Sequence, residues 1–280
     1  MKYSKDYWLV TSCTESYLPG LVALRNSVKL NFKEAKLACF YYGEETPDVE
    51  EVEFILNAPM LGPVLDDLGV VRHGLKLGPD MFARLLIPKY FKGRAFYLDV
   101  DCLLLNTIKE LWDIDLFDYP TACVPRQAIG WIGGHRYDDM ASGTYLCDTD
   151  RWEDMGLVEE CFQIMKDKVE GKIKRDFHVN VESALSYAHD GKFLELGPEY
   201  QILTYYGSMI KSDKVAHFAG PKPWHIKGYR FVNKRPVKYV GLWNAYLKND
   251  KNLIKEATDK LSEVRPRGAW NQGRRNQLCE

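Results

Sequence analysis

The chain has 280 residues, 46% of them hydrophobic and 28% charged, with a formal net charge of -1. Such a length can bury roughly three quarters of the unfolded surface in one extended core, and the composition is that of an ordinary soluble globule. The near-neutral charge argues against a general nucleic-acid binder, no apolar run approaches the roughly 18 residues of a spanning helix, and residues 1–5 carry no signal-peptide core, so a cytosolic protein is expected. The seven cysteines show no metal spacing, and Cys39, Cys102, Cys123 and Cys147 sit in apolar stretches, which suits reduced core thiols; neither a structural disulfide nor a zinc site is expected.

In chain order, residues 7–11 read as a strand, 12–16 as a polar turn, and 18–32 as an amphipathic helix with Leu21, Leu24 and Val28 in register. Residues 37–42 read as a second strand, 49–56 and 81–91 as helices, and 95–98 as a strand. This alternation predicts an α/β architecture with a largely parallel sheet. Further strands are expected at 121–124 and 144–147, separated by a loop holding Gly130, Gly134, Asp138 and Asp139. Helices are expected at 155–170 and 181–189, short strands at 193–196 and 215–218, and a helix marked by Leu253, Ile254, Ala257 and Leu261. A basic tail follows, with Arg265, Arg267, Arg274, Arg275 and Trp270. It reads either as a frayed, solvated terminus or as a peripheral contact with an anionic membrane or a partner. No internal repeat is present, and the oligomeric state is left open.

The chemistry concentrates in two places. The apolar run from Ala95 drives into Asp99 and Asp101, and residues two apart in a strand share a face. Like charges about 4 Å apart repel by roughly 4 kcal/mol at an effective dielectric near 20, so a partly buried pair needs a shared proton or a cation. The alternative is a strand ending in a turn with two solvated acids. Downstream, His217 leaves a short apolar strand, Gly220 opens the backbone, and Lys222 stands between Pro221 and Pro223. These parts suit a metal diphosphate: a nitrogen ligand, a close main-chain approach and a point charge. The alternative is a core histidine and a lysine in water. Ligands of open α/β sheets lie beyond the carboxyl ends of strands, where residues 11–17 and the acid pair both fall.

Several ordered pieces then carry a resemblance: Val-Thr-Ser-Cys-Thr-Glu-Ser-Tyr at 10–17, Phe-Ala-Arg-Leu at 82–85, Tyr-Leu-Asp-Val-Asp at 97–101, Ser142-Gly143, and His-Phe-Ala-Gly-Pro-Lys-Pro-Trp at 217–224. Over residues 7–225 the chain resembles the retaining glycosyltransferases of family 8, a group that includes glycogenin and the bacterial galactosyltransferases of lipooligosaccharide synthesis. The resemblance implies a GT-A fold over residues 1–230, Rossmann-like with a mixed, mostly parallel sheet flanked by helices, and a helical and basic extension over 231–280. It implies metal-dependent, retaining transfer of a hexose from a nucleotide-sugar, commonly a UDP-sugar, to a glycan or other hydroxyl acceptor. Asp99, Asp101 and His217 would hold manganese, or magnesium; the mixed oxygen and nitrogen set suits manganese better.

By the same resemblance, Lys222 and Gly220 would meet the diphosphate, Thr11, Ser12, Cys13, Tyr17 and Val100 the nucleotide, and Arg84 the donor sugar and phosphate. Tyr17 would stack on the base or simply cover the sheet, and Arg84 would otherwise be an exposed helix arginine. Three departures from the family pattern stand out. Ala141 replaces the asparagine used on the donor sugar, Val-Asn-Val-Glu at 179–182 replaces Asp-Gln-Asp, and the spacing from His217 to Lys222 is one residue short. Asn180 and Glu182 are the equivalents chosen for the altered motif. Retention requires either a carboxylate nucleophile, for which Glu182 is the candidate, or same-face attack assisted by the leaving phosphate. The acceptor is expected at the loop 128–139, with Trp131, His135 and Arg136. Two other readings stay open: a haloacid-dehalogenase-type phosphatase, whose acids also form Asp-x-Asp after a strand, and an inactive sugar-binding relative.

Overall fold

A computed structural model describes residues 6–58, 71–72, 75–76, 78–129, 140–173, 181–204, 208–220, 222–224 and 239–264. Asn180, the residues Trp131, His135 and Arg136 where the acceptor is expected, and the basic tail lie outside the described residues. None of the described helices is long and apolar enough to cross a membrane.

The chain opens with β1 (Tyr7–Thr14), α1 (Leu18–Asn31), β2 (Ala35–Tyr42) and β3 (Val52–Leu56). The two-residue strands β4 (Val71–Arg72) and β5 (Leu75–Lys76) form a hairpin, and α2 (Ile87–Tyr90) is a single turn. Then come β6 (Arg94–Leu98), β7 (Cys102–Leu104), β8 (Thr121–Pro125), β9 (Met140–Asp148), α3 (Thr149–Asp154), α4 (Leu157–Val169) and α5 (Val181–Ala188). The short strands β10 (Leu194–Glu195), β11 (Ile202–Leu203) and β12 (Val215–His217) follow, and α6 (Val240–Leu247) and α7 (Lys251–Asp259) end the described chain. Seven strands form one sheet in the order β10-β8-β9-β6-β1-β2-β3, and β11-β12-β7 form a second. Only β9 runs antiparallel to its neighbours in the large sheet, which bears out the expected mixed, mostly parallel α/β fold.

Both faces of the large sheet are covered, and the period-2 pattern of its strands shows it. Val10, Phe40, Ala95 and Tyr97 pack with α4 and α5, whereas Leu9, Cys39, Phe96 and Leu98 pack with α1. A third cluster joins Leu103 and Phe218 of the small sheet region to Trp243 and Tyr246 of α6. Six cysteines are buried and free, as their apolar settings suggest.

Four local expectations are corrected. Residues 52–56, expected in a helix, form edge strand β3, with Leu37 paired to Val52 through Tyr41 to Leu56. Short apolar runs fit either period, and the open edge of β2 decides. The helix expected at 81–91 is broken into 3-10 turns, Pro79–Met81 and Ala83–Leu86, before α2. Pro88 has no N–H to donate to the carbonyl of Arg84, and that carbonyl instead accepts from the Tyr145 hydroxyl at 3.2 Å. The polar turn expected at 12–16 starts late, because Ser12, Cys13 and Thr14 continue β1 against Phe40, Tyr41 and Tyr42. Finally, Ser142 and Gly143 lie inside β9 rather than before a strand.

Candidate active site

Strand β6 stops at Leu98, and the two acids occupy the turn into β7, closed by the Cys102 amide donating to the Asp99 carbonyl at 2.9 Å. Turn geometry, and not the shared strand face first expected, therefore brings them together. The Asp99 amide donates to the Gly143 carbonyl at 2.8 Å, so the turn is braced from β9. Strand β12 pairs antiparallel with β7, His217 facing Cys102, and this register carries the imidazole to the acids. His217 Nε2 lies 3.2 Å from Asp101 Oδ1 and 3.5 Å from Asp99 Oδ2. Lys222 Nζ donates to the other oxygen of Asp101.

These groups hold one another's charge. Burial would raise the Asp101 carboxyl, but Lys222 and His217 draw it well below the usual range. Burial would lower His217 and Lys222, yet the Asp101 carboxylate raises both. Arg84, 7% exposed, donates to Asp99 Oδ1 at 2.7 Å and to the Ser142 carbonyl at 2.7 Å. Its guanidinium lies 4.4 Å over the Tyr97 ring, and Tyr97 donates to the same Asp99 oxygen at 2.9 Å. Arg84 is thus a buried brace for the acid pair and not an exposed helix arginine.

The donor set suits a divalent cation: two carboxylates and an imidazole nitrogen converge within hydrogen-bonding reach. Asp101, Cys102 and His217 also present ligand atoms within 4.8 Å of one another. Burial, then the two aspartates, push the Cys102 thiol well above its ordinary range, so it stays protonated and ligates poorly. Asp99 lies beside this group, its Oδ2 3.5 Å from the same imidazole nitrogen.

The remaining expected residues fall around this centre. Gly220 adopts φ 87°, a conformation that favours glycine, just before Lys222. Tyr17 is half-buried and meets Trp224 edge-on at 5.6 Å, while burial raises its hydroxyl pKa. Gly20 lies so close to the Val100 carbonyl and Trp224 that a Cβ there would come within 2.9 Å of each. Ser12 Oγ is 3.1 Å from the Tyr97 hydroxyl. Thr11 is buried, its hydroxyl without a hydrogen-bond partner among the described residues. Cys13 turns its sulfur into the core, 3.6 Å from that of Cys39.

Glu182 opens α5, and both of its oxygens are engaged. Arg126 Nε donates to Oε1 at 3.1 Å, Arg126 Nη2 donates to Oε2, and the Ser142 amide donates to Oε1 at 3.4 Å. Sequence reasoning missed Arg126, and it also missed Gln201, whose amide lies 3.2 Å from His217 Nδ1. No local pattern marks either residue; only Tyr97, two residues before Asp99, carried a legible signal.

Comparison with known proteins agrees with this geometry. The model of "Glycosyl transferase family 8" matches residues 71–228. The General stress protein A of Bacillus subtilis (strain 168) is 25% identical over 176 residues, covering 51% of this chain and 58% of that protein. The chain spans about half the length of the sequence relatives it matches, 49% and 58% for two of them. Among solved structures, the glycosyltransferase GlyE of Streptococcus pneumoniae TIGR4 superposes with a TM-score of 0.63 at 15% identity, covering 92% of this chain and 64% of that one. The galactosyltransferase LgtC, solved with donor and acceptor sugar analogs, gives a TM-score of 0.56 at 17% identity, covering 92% of this chain and 97% of that one. At such identities the superpositions show the shared GT-A fold. The chain belongs to glycosyltransferase family 8, a membership that sets the phosphatase alternative aside.

Proposed function

We propose that this protein transfers a hexose from a nucleotide-sugar, a UDP-sugar, to a hydroxyl of a glycan acceptor with retention of configuration, with a divalent cation, manganese in the first instance, held by Asp99, Asp101 and His217. The observation that carries this reading is the convergence of His217 and Lys222 on the acid pair, the lysine reaching Asp101 across 121 residues of sequence. A scaffold has no use for so costly a cluster of buried charge.

A bound cation would take up negative charge as the nucleoside diphosphate departs. The chain's own groups do the rest. Lys222 adds a mobile positive charge that can exchange Asp101 for the diphosphate, and Gly220 supports the backbone turn before it. Arg84 pairs with Asp99 and aims its carboxylate. Glu182, clamped by Arg126, supports a reading as a fixed negative charge near the reacting sugar, with attack on the same face as the leaving group.

The test is a panel of nucleotide-sugars screened for manganese-dependent hydrolysis and thermal stabilisation. A UDP-sugar is the expected winner. Stabilisation without hydrolysis or transfer to any glycan would favour the inactive sugar-binding reading, and no response to any donor would overturn the proposal.

A further inference from the structure

We infer that Gln201 is the positioning residue that lets His217 Nε2 turn a free lone pair toward the acid pair, its amide matching either tautomer of the ring; the inference rests on reading His217 as a metal ligand. Gln201 immediately precedes β11, whose Ile202 and Leu203 pair with Ala216 and His217 of β12, so backbone register sets it beside the imidazole. It is 2% exposed. Its Nε2 lies 3.2 Å from His217 Nδ1, and its Oε1 lies 2.9 Å from the hydroxyl of buried Thr144. That hydroxyl is in turn 3.1 Å from the Tyr200 carbonyl oxygen. Gly143 closes the back of the pocket, since a Cβ there would come within 2.4 Å of His217 Cε1 and 2.8 Å of Gln201 Nε2. The far edge of the ring therefore meets the Gln201 amide.

A primary amide has one accepting end and one donating end, and a half-turn exchanges them in the same space. In one orientation the amide N–H donates to Nδ1, the Thr144 hydroxyl donates to the amide oxygen, and the ring proton sits on Nε2, donating to Asp101 Oδ1 at 3.2 Å. In the other, Nδ1–H donates to the amide oxygen, the amide N–H donates to Thr144, and the Thr144 hydroxyl donates to the Tyr200 carbonyl. Nε2 then turns a lone pair toward Asp99 and Asp101. The first arrangement takes the Thr144 proton away from the Tyr200 carbonyl, and the second leaves the Nε2 lone pair facing carboxylates, a position that a bound cation would relieve. A neutral amide is the side chain that serves both tautomers: His217 as donor to the carboxylates, and His217 as ligand beside them. A carboxylate at position 201 would fix the ligand form, and an aliphatic side chain would support neither.

The experiment is calorimetric titration of Mn2+ into protein saturated with UDP, comparing wild type, Q201L and Q201E, with thermal unfolding as the check on folding. Q201L is expected to weaken Mn2+ binding by roughly 10- to 100-fold, the usual effect of losing an outer-shell partner. Q201E is expected to bind Mn2+ at least as tightly as wild type. Wild-type affinity in Q201L, or a Q201E as weak as Q201L, would overturn the assignment by reducing Gln201 to a space filler. Should Q201L not fold, Q201E decides alone. A wild-type protein that binds no Mn2+ in the presence of UDP would overturn the metal reading itself, and this inference with it.

Discussion

His189 shows what one buried side chain contributes. It follows α5, lies 2.6 Å from the Thr121 hydroxyl and packs against Trp152, and burial pushes its pKa down to about 4. Its folded value lies below the unfolded value of 6.5, so the unfolded chain binds the proton more readily. The associated stability is therefore complete above pH 6.5 and is lost as pH falls toward 4, a contribution on the order of 3 kcal/mol. Urea denaturation at pH 7.5 and pH 5 should show that loss, and His189→Gln should flatten it. Glu182 gives the second prediction at this scale. Because Arg126 and the Ser142 amide already occupy its oxygens, E182Q should lower kcat by roughly 10- to 100-fold, the scale of a lost electrostatic contact. A fall of about 10⁴-fold or more, together with a sugar adduct on Glu182 of the wild-type protein, would instead restore Glu182 as the nucleophile.

Among the elements, β9 does most to build the site. Its Gly143 carbonyl holds the Asp99 amide, while its missing side chain leaves room for the His217 ring. In G143A the new methyl would stand 2.6 Å from His217 Nδ1 and 2.4 Å from Cε1, so the imidazole must shift. Transfer should fall by about a hundredfold or more, the penalty for a displacement near 1 Å, with the protein still folded; steady-state kinetics beside a thermal melt checks this. Elements differed in how plainly they could be read. The inner strands were legible at 7–11 and 95–98 from continuous apolar patterning, since sheets buried on both faces demand it, whereas the polar end of the first, residues 12–14, was not. Strand β3 and the broken turn before α2 were not: an edge strand of five residues has too few periods to declare itself, and Pro88 acts through a carbonyl claimed by distant Tyr145.

On the scale of the whole molecule, the C-terminal helices are structural members of the site. Trp243 of α6 is fully buried, with its ring 4.9 Å from Phe218 and 5.3 Å from Trp224, and these two residues flank Gly220 and Lys222 along the chain. W243A should cost about 3–5 kcal/mol, as large aromatic truncations in packed cores do, and equilibrium unfolding would measure it. A cost under about 1 kcal/mol would show that α6 is dispensable to this core.

What the sequence determined by itself was whatever depends on neighbours along the chain: the apolar strands, the acid pair, and the His217–Gly220–Lys222 spacing. What only the tertiary structure decided was who faces whom: Arg84 against Asp99, Arg126 against Glu182, Gln201 against His217. Those partners stand between 15 and 56 residues apart and meet because the sheet and its covering helices bring them together. A buried charge or imidazole must find its partner in space, and no period along the chain records where that partner lies.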